Sequence, residues 1–188
     1  KILGAYSSSH PDVRVVLHVA PRGSQIESLH RGRILIAFDR YLPDTPEIHS
    51  ELVCRETLWV ALNRNNSLAQ KSGVSLDDLR ASPLIGEQDP CVYPTCQALF
   101  RHYDFEPLVV HKAVDMISAV TMVAGGFGSA FVPESVLNVQ LPNVVYRPLK
   151  TDVECFIDLH CAYRRNEHSP LLKSLLDCIR GYRHESPS

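Results

Sequence analysis

The sequence predicts an α/β fold carried by two small sheets. Two observations point there. Segments with strand character alternate repeatedly with segments of helical period, the pattern of a mixed α/β chain. There are also more such elements in the 188 residues than one small sheet accommodates.

Taken in order, Lys1–Tyr6 reads as the middle of a helix, which implies further chain upstream. Ser9-His10-Pro11-Asp12 breaks it, because the residue before a proline disfavours helical dihedrals. Val13, Val15, Leu17 and Val19 share one face, which suits a strand. Ala20–Gly23 is a loop. Ser24 opens a helix, with Glu27 three residues on in a capping-box pattern. Ile26, Leu29 and His30 form its inner stripe, and Gly32 ends it. Ile34–Phe38 is a continuous apolar run, expected of a parallel strand covered on both faces. Strand, helix and strand here make a βαβ unit. A proline-containing loop over 39–48 leads to a strand at Leu58–Leu62.

Ser75 caps a short helix bearing Leu76 and Leu79, with Asp77 and Asp78 in its first turn. Leu84-Ile85 reads as a strand, Thr95–Tyr103 as a helix and Leu108–Val110 as a strand. Asp115 is the expected N-cap of an apolar helix over Met116–Ala124. Strands follow at Ser129–Val132, Val144–Leu149 and Phe156–Tyr163. Pro170 stands at the first position of the last helix. Leu171, Leu172, Leu175, Leu176 and Ile179 form its buried stripe, and Gly181 is expected to stop it.

The net charge is −2. A chain that grips DNA unaided carries a basic excess to neutralise phosphates, so these residues are not expected to contact DNA. No apolar run approaches the roughly 20 residues of a membrane helix. Six cysteines have irregular spacing with no C-x-x-C pair, and reduced thiols are the expectation. Nine histidines fall without metal-ligand spacing. G-x-S-x-G, H-E-x-x-H and Walker patterns are all missing. The chain is therefore expected to be neither an enzyme nor a metal or cofactor protein.

Four features could hold a site. Pro21-Arg22-Gly23-Ser24-Gln25 joins a strand end to a helix start, where free amides favour anions and Arg22 adds charge; a plain capped loop is the other reading. Arg40 follows the apolar run at the same sheet edge and could grip a carboxylate with two parallel hydrogen bonds; a solvated arginine explains it equally. Gly86–Thr95 is a long mixed loop with Cys91 inside it and Cys96 beside it. A thiol near a helix start can be activated, although two packed thiols are the plainer account. Gly125-Gly126-Phe127-Gly128 follows a helix, so helix termination fits better than phosphate binding.

The order of several motifs resembles the LysR-type transcription regulators. They are His10-Pro11-Asp12-Val13, Gln25-Ile26-Glu27-Ser28-Leu29, Gly32-Arg33-Ile34, Ile36-Ala37-Phe38, Glu56–Leu62, Leu76-Asp77-Asp78-Leu79, Val123–Gly128 and Val132-Pro133-Glu134-Ser135. Within that family the chain is most similar to regulators of aromatic-compound breakdown that respond to benzoate, muconate or chlorinated relatives. The resemblance implies two Rossmann-like lobes of the periplasmic-binding-protein type II kind, joined by two crossover strands. Lobe one would hold residues 1–55 and 157–188, and lobe two residues 56–156.

A small organic anion would bind between the lobes and control promoter activation. Carried over by position, Arg22, Gly23, Ser24 and Arg40 would serve from lobe one, Pro90, Cys91 and Val92 from lobe two, and Phe156 at the second crossing. The N-terminal helix-turn-helix, which would make the DNA contact, is expected to lie outside this chain, together with the first strand of the sensor. Homodimers or homotetramers, RNA polymerase contact in the full-length protein and a cytoplasmic location are implied, with no membrane. Leu35 stands where the family often has aspartate, and Arg22 where muconate-type sensors have a small polar residue. Two rivals remain: a redox sensor using Cys91 and Cys96, and a periplasmic solute receptor of similar fold.

Overall fold

The structure, a computed structural model, describes residues 2–40, 42, 45–87 and 94–185. Its helices are α1 (Ile2–Ser9), α2 (Arg22–His30), α3 (Leu76–Leu79), α4 (Pro94–His102), α5 (Met116–Ala124) and α6 (Pro170–Glu185). Its strands are β1 (Ala37–Asp39), β2 (Ile48–Asn63), β3 (Val74–Ser75), β4 (Leu84–Glu87), β5 (Val109–Ala113), β6 (Ala130–Pro133), β7 (Val144–Lys150) and β8 (Phe156–Arg164). The chain divides into two compact units. Unit one comprises residues 1–55 and 158–188, and unit two residues 56–157.

In unit one, β8 lies between β1 and β2. Successive strand residues face opposite ways, so Cys161 and Ala162 serve two separate cores. Cys161 packs with Tyr6 of α1, Val53 of β2 and Leu172, Leu175, Leu176 and Ile179 of α6. Ala162 packs with Leu29 of α2, Ala37 of β1 and Ile48 of β2. The sheet is therefore covered by α1 and α6 on one face and by α2 on the other. His10 helps fasten α1 to α6: one ring nitrogen lies 2.7 Å from Ser174 Oγ and the other 3.2 Å from the Tyr6 carbonyl.

In unit two, β2 pairs antiparallel with both β6 and β7, and β3 adds parallel to β7. Strands β4 and β5 form a parallel pair, joined to β6 by a bridge between Leu84 and Ser129. Leu58, Val60 and Leu62 of β2 pack with Leu76 and Leu79 of α3 and with Leu99 and Phe100 of α4. Ala61, on the opposite face, packs with Ala119, Val120 and Val123 of α5.

Several expectations hold in detail. Ser75 Oγ accepts from the Asp78 amide at 3.3 Å, and Asp78 accepts in turn from the Ser75 amide at 3.1 Å, a complete capping box. Asp115 Oδ1 accepts from the Ser118 amide at 2.7 Å at the start of α5. Helices α2 and α5 end on left-handed glycines, Gly32 at φ 68° and Gly126 at φ 81°. Each shows the paired bonds of a Schellman turn, Arg33 N to Ser28 O with Gly32 N to Leu29 O, and Phe127 N to Met122 O with Gly126 N to Val123 O.

Other expectations fail. Val13–Val19 joins no ladder among the described residues. Leu17 and Val19 are 74% and 85% exposed, because alternation specifies a face and only a neighbouring strand supplies the hydrogen bonds. The βαβ unit predicted there is accordingly missing its first strand. Helix α2 begins at Arg22, with Pro21 before it and no side-chain cap. Ser24 is thus inside the first turn, and Glu27 pairs with Arg31 at 2.7 Å instead of completing a capping box. The apolar run Ile34–Phe38 yields only β1, antiparallel to β8 and not parallel; Ile36 and Phe38 join one core of unit one and Ile34 and Ala37 the other, while Leu35 is exposed. Strand β2 starts ten residues before Leu58, since its early polar positions hid the period.

Gly181 does not stop α6, which runs on to Glu185; Leu171 is 42% exposed and lies outside the buried stripe. A Cβ added at Gly181 meets nothing within 4 Å. Gly181→Ala is therefore expected to raise stability by about 0.8 kcal/mol, the helix-propensity difference, measured by urea unfolding.

Candidate functional site

Unit one carries the start of α2 and Arg40, two of the features singled out in the sequence. Arg22 begins α2, so the amides of Arg22, Gly23 and Ser24 lie in its first turn, where a helix has no internal acceptors. Gly23 and Ser24 are exposed, and a Cβ at Gly23 would meet nothing within 4 Å. Gln25 Nε2 donates to the Ala20 carbonyl at 2.9 Å and fixes the entering loop.

The other end of α2 is anchored. Arg164 Nη1 donates to the carbonyls of Leu29 and Ile34, and Nη2 pairs with Glu167. The Gly32 turn then leads the chain into β1, against which α2 packs through Leu29 and Ala37. Arg40 follows β1 there, half-buried, its amide donating to Asp39 Oδ1 at 2.6 Å. Gly23, Ser24 and Arg40 all belong to unit one, as does the Arg22 backbone.

Phe156 is half-buried at the first position of β8 and belongs to unit two. Pro90, Cys91 and Val92 lie outside the described residues. Cys96 is fully buried in the core formed with Leu99 and Phe100, a poor position for a peroxide-reactive thiol. Among the described residues no cluster of His, Cys, Asp and Glu could hold a metal, and no helix is long and apolar enough to cross a membrane.

Two groups of polar residues escaped the sequence reading. One is the ion-pair cluster on the α6 side of the unit-one sheet. Glu51 accepts from Arg180 Nη2 at 2.7 Å and Nε at 3.1 Å and from the Tyr163 hydroxyl. His49 lies 3.8 Å from the same carboxylate and stacks edge-on against Tyr163. The Arg180 hydrogen bonds hold the Glu51 carboxyl below its ordinary value against the opposing pull of burial. Burial, then the bond to Glu51, pushes the Tyr163 hydroxyl up, and burial takes the Cys161 thiol up to about 11, which leaves it protonated and inert at neutral pH.

The other group is Ser50 Oγ and His160 Nδ1, buried atoms without a hydrogen-bond partner among the described residues. His160 faces Asp39 in register across β8 and β1, close to the edge that carries Arg40. A buried polar atom without a protein partner is the kind of group that a water or ligand satisfies. The only sequence signal for either was a polar residue interrupting an apolar strand.

The chain is thus a two-unit α/β protein with an exposed helix start in unit one. The comparisons make the class specific: residues 1–183 match the LysR substrate binding domain, and the chain belongs to that family. It is 30% identical over 185 residues to the HTH-type transcriptional regulator BenM of Acinetobacter baylyi, covering 96% of this chain and 60% of that protein. The crystal structure of CbnR, a LysR family transcriptional regulator, superimposes with a TM-score of 0.84 at 26% identity, covering 96% of this chain and 63% of that one. The BenM effector-binding domain with its effector benzoate gives a TM-score of 0.78 at 29% identity, covering 99% of this chain and 87% of that one. The chain spans about 60% of the length of the curated relatives it matches. Those relatives are transcriptional regulators, not enzymes.

Proposed function

We propose that this chain is the effector-sensing part of a transcription regulator, and that the effector is a small carboxylate, aromatic or dicarboxylic. The observation that carries the reading is the similarity over almost the whole chain to a domain whose effector is benzoate. The α2 start and Arg40, both in unit one, offer matching chemistry, backbone amides and a guanidinium for an anionic oxygen. In this reading the two units are the regulatory lobes, with Arg22, Gly23, Ser24 and Arg40 contributing from one and Pro90, Cys91, Val92 and Phe156 from the other. Effector binding shifts the balance between lobe arrangements by its difference in affinity for them.

The regulator acts in the cytoplasm as a homodimer or homotetramer, meets DNA through a segment outside this chain and works on RNA polymerase. Each unit exposes apolar residues suited to self-association: Val16, Leu17 and Val19 in one, Val110, Val114 and Ile117 in the other.

Thermal unfolding with benzoate, muconate, chloromuconate, salicylate and protocatechuate tests the reading. A true effector at a hundredfold excess over its dissociation constant stabilises by about 2.7 kcal/mol, and the effect is lost in Arg22→Ala or Arg40→Ala. A folded protein that ignores the whole panel rejects the carboxylate class.

A further inference from the structure

Strands β2 and β8 each pass from one unit to the other, β2 between Arg55 and Glu56 and β8 between Ile157 and Asp158. The last residue of unit one on the way out and its first on the return are tied to each other. Arg55 Nε donates to Asp158 Oδ1 at 2.9 Å, and Nη2 to Oδ2 at 3.1 Å. A bidentate pair of this kind fixes the mutual orientation of two backbones as well as their distance. On the other side of the crossing, β2 is held again. Glu56 Oε1 accepts from the Ser135 amide at 2.6 Å, and Thr57 Oγ1 donates to Glu134 Oε2 at 2.7 Å.

We infer that the Arg55–Asp158 pair is a positioning clamp that couples the two connecting strands and confines bending to the peptides just beyond it, thereby setting how readily the two units change arrangement. A lone surface ion pair contributes little to stability. This one joins residues 103 apart in sequence at the two points where the chain changes units, so its effect falls on the crossing more than on either core. Its charges are partly exposed, with side-chain exposures of 55% and 27%, so salt weakens it. The inference deepens the proposed function by supplying the element an effector would bias, but its test uses no effector and stands or fails separately.

The test is amide hydrogen exchange on this chain, comparing the wild type with Arg55→Gln, Asp158→Asn and the exchanged pair R55D/D158R. Each single variant is expected to exchange about threefold faster at residues 55–58 and 156–159, with the α6 and α5 amides unchanged. The exchanged pair is expected to restore protection at those segments, and 1 M salt to accelerate exchange in the wild type but not in the single variants. Unchanged exchange at the crossings in the single variants overturns the inference. So does acceleration spread through unit one, which would mark an ordinary structural contact, and so does an exchanged pair that fails to restore protection.

Discussion

Glu51→Ala is expected to lower stability by about 2 kcal/mol at neutral pH. The carboxylate satisfies Arg180 through two hydrogen bonds and Tyr163 through a third. Removing it leaves a hydroxyl and a guanidinium facing each other across the sheet–α6 seam. The full cost of breaking a buried pair is larger. The Arg180 side chain is 43% exposed while that of Glu51 is only 15% exposed, so water recovers part of the loss on the arginine side.

The pH dependence has a definite sign. The folded carboxyl is held below its ordinary value, so its stabilisation is complete above the unfolded pKa of about 4.3. It is lost as the pH falls through the lowered folded value. Glu51→Gln removes the titration, so the gap between its unfolding temperature and that of the wild type should be widest at pH 6–7, begin to narrow near the unfolded pKa of about 4.3 and close as the pH falls through the lowered folded value. A gap that does not narrow at all as the pH falls below the unfolded pKa would mean that packing, and not charge, gives Glu51 its weight.

Gly128→Ala is expected to cost about 3 kcal/mol, far more than Gly126→Ala two residues beyond the end of α5. A Cβ at Gly128 would lie 2.6 Å from the Pro83 carbonyl oxygen, a backbone atom that has no room to retreat. That carbonyl accepts from the Ser129 amide at 2.9 Å, and Ile85 donates to the Ser129 carbonyl at 2.8 Å. The clash would therefore pry apart the bridge that joins β4 to β6. Among the described residues, a Cβ at Gly126 would meet, outside its chain neighbours, just the Asn63 amide nitrogen at 3.9 Å. Its substitution costs only the left-handed conformation, about 1 kcal/mol. Chemical denaturation of the two variants side by side separates close approach from dihedral preference.

The contrast shows where the sequence was readable. Gly125-Gly126-Phe127-Gly128 was correctly understood as a helix ending, because a left-handed glycine after a helix is a local event. That one of its glycines is also irreplaceable for contact with Pro83 is not local, and nothing within four residues announces it. The same division holds at α2. Its Gly32 terminus was legible, whereas its N-cap was misplaced by three residues, at Ser24 instead of Pro21, because a serine with Glu27 three residues on mimics a capping box.

By itself the sequence determined the alternation of strands and helices, the capping of α3 and α5, the glycine ends of α2 and α5, the apolar stripe of α6 and, through the order of its motifs, membership in the LysR family. All of these depend on spacing along the chain over a few residues, or on motif order. Only the tertiary structure decided that Val13–Val19 stays outside the sheet, that β1 runs antiparallel to β8, that Glu51, Tyr163 and Arg180 meet, and that Arg55 closes on Asp158. Each depends on a partner more than 100 residues away or on a ladder position that is filled or left open. The physical reason is the same throughout: side-chain period specifies which face is apolar, but hydrogen-bond and ion partners are assigned only when distant segments are brought together.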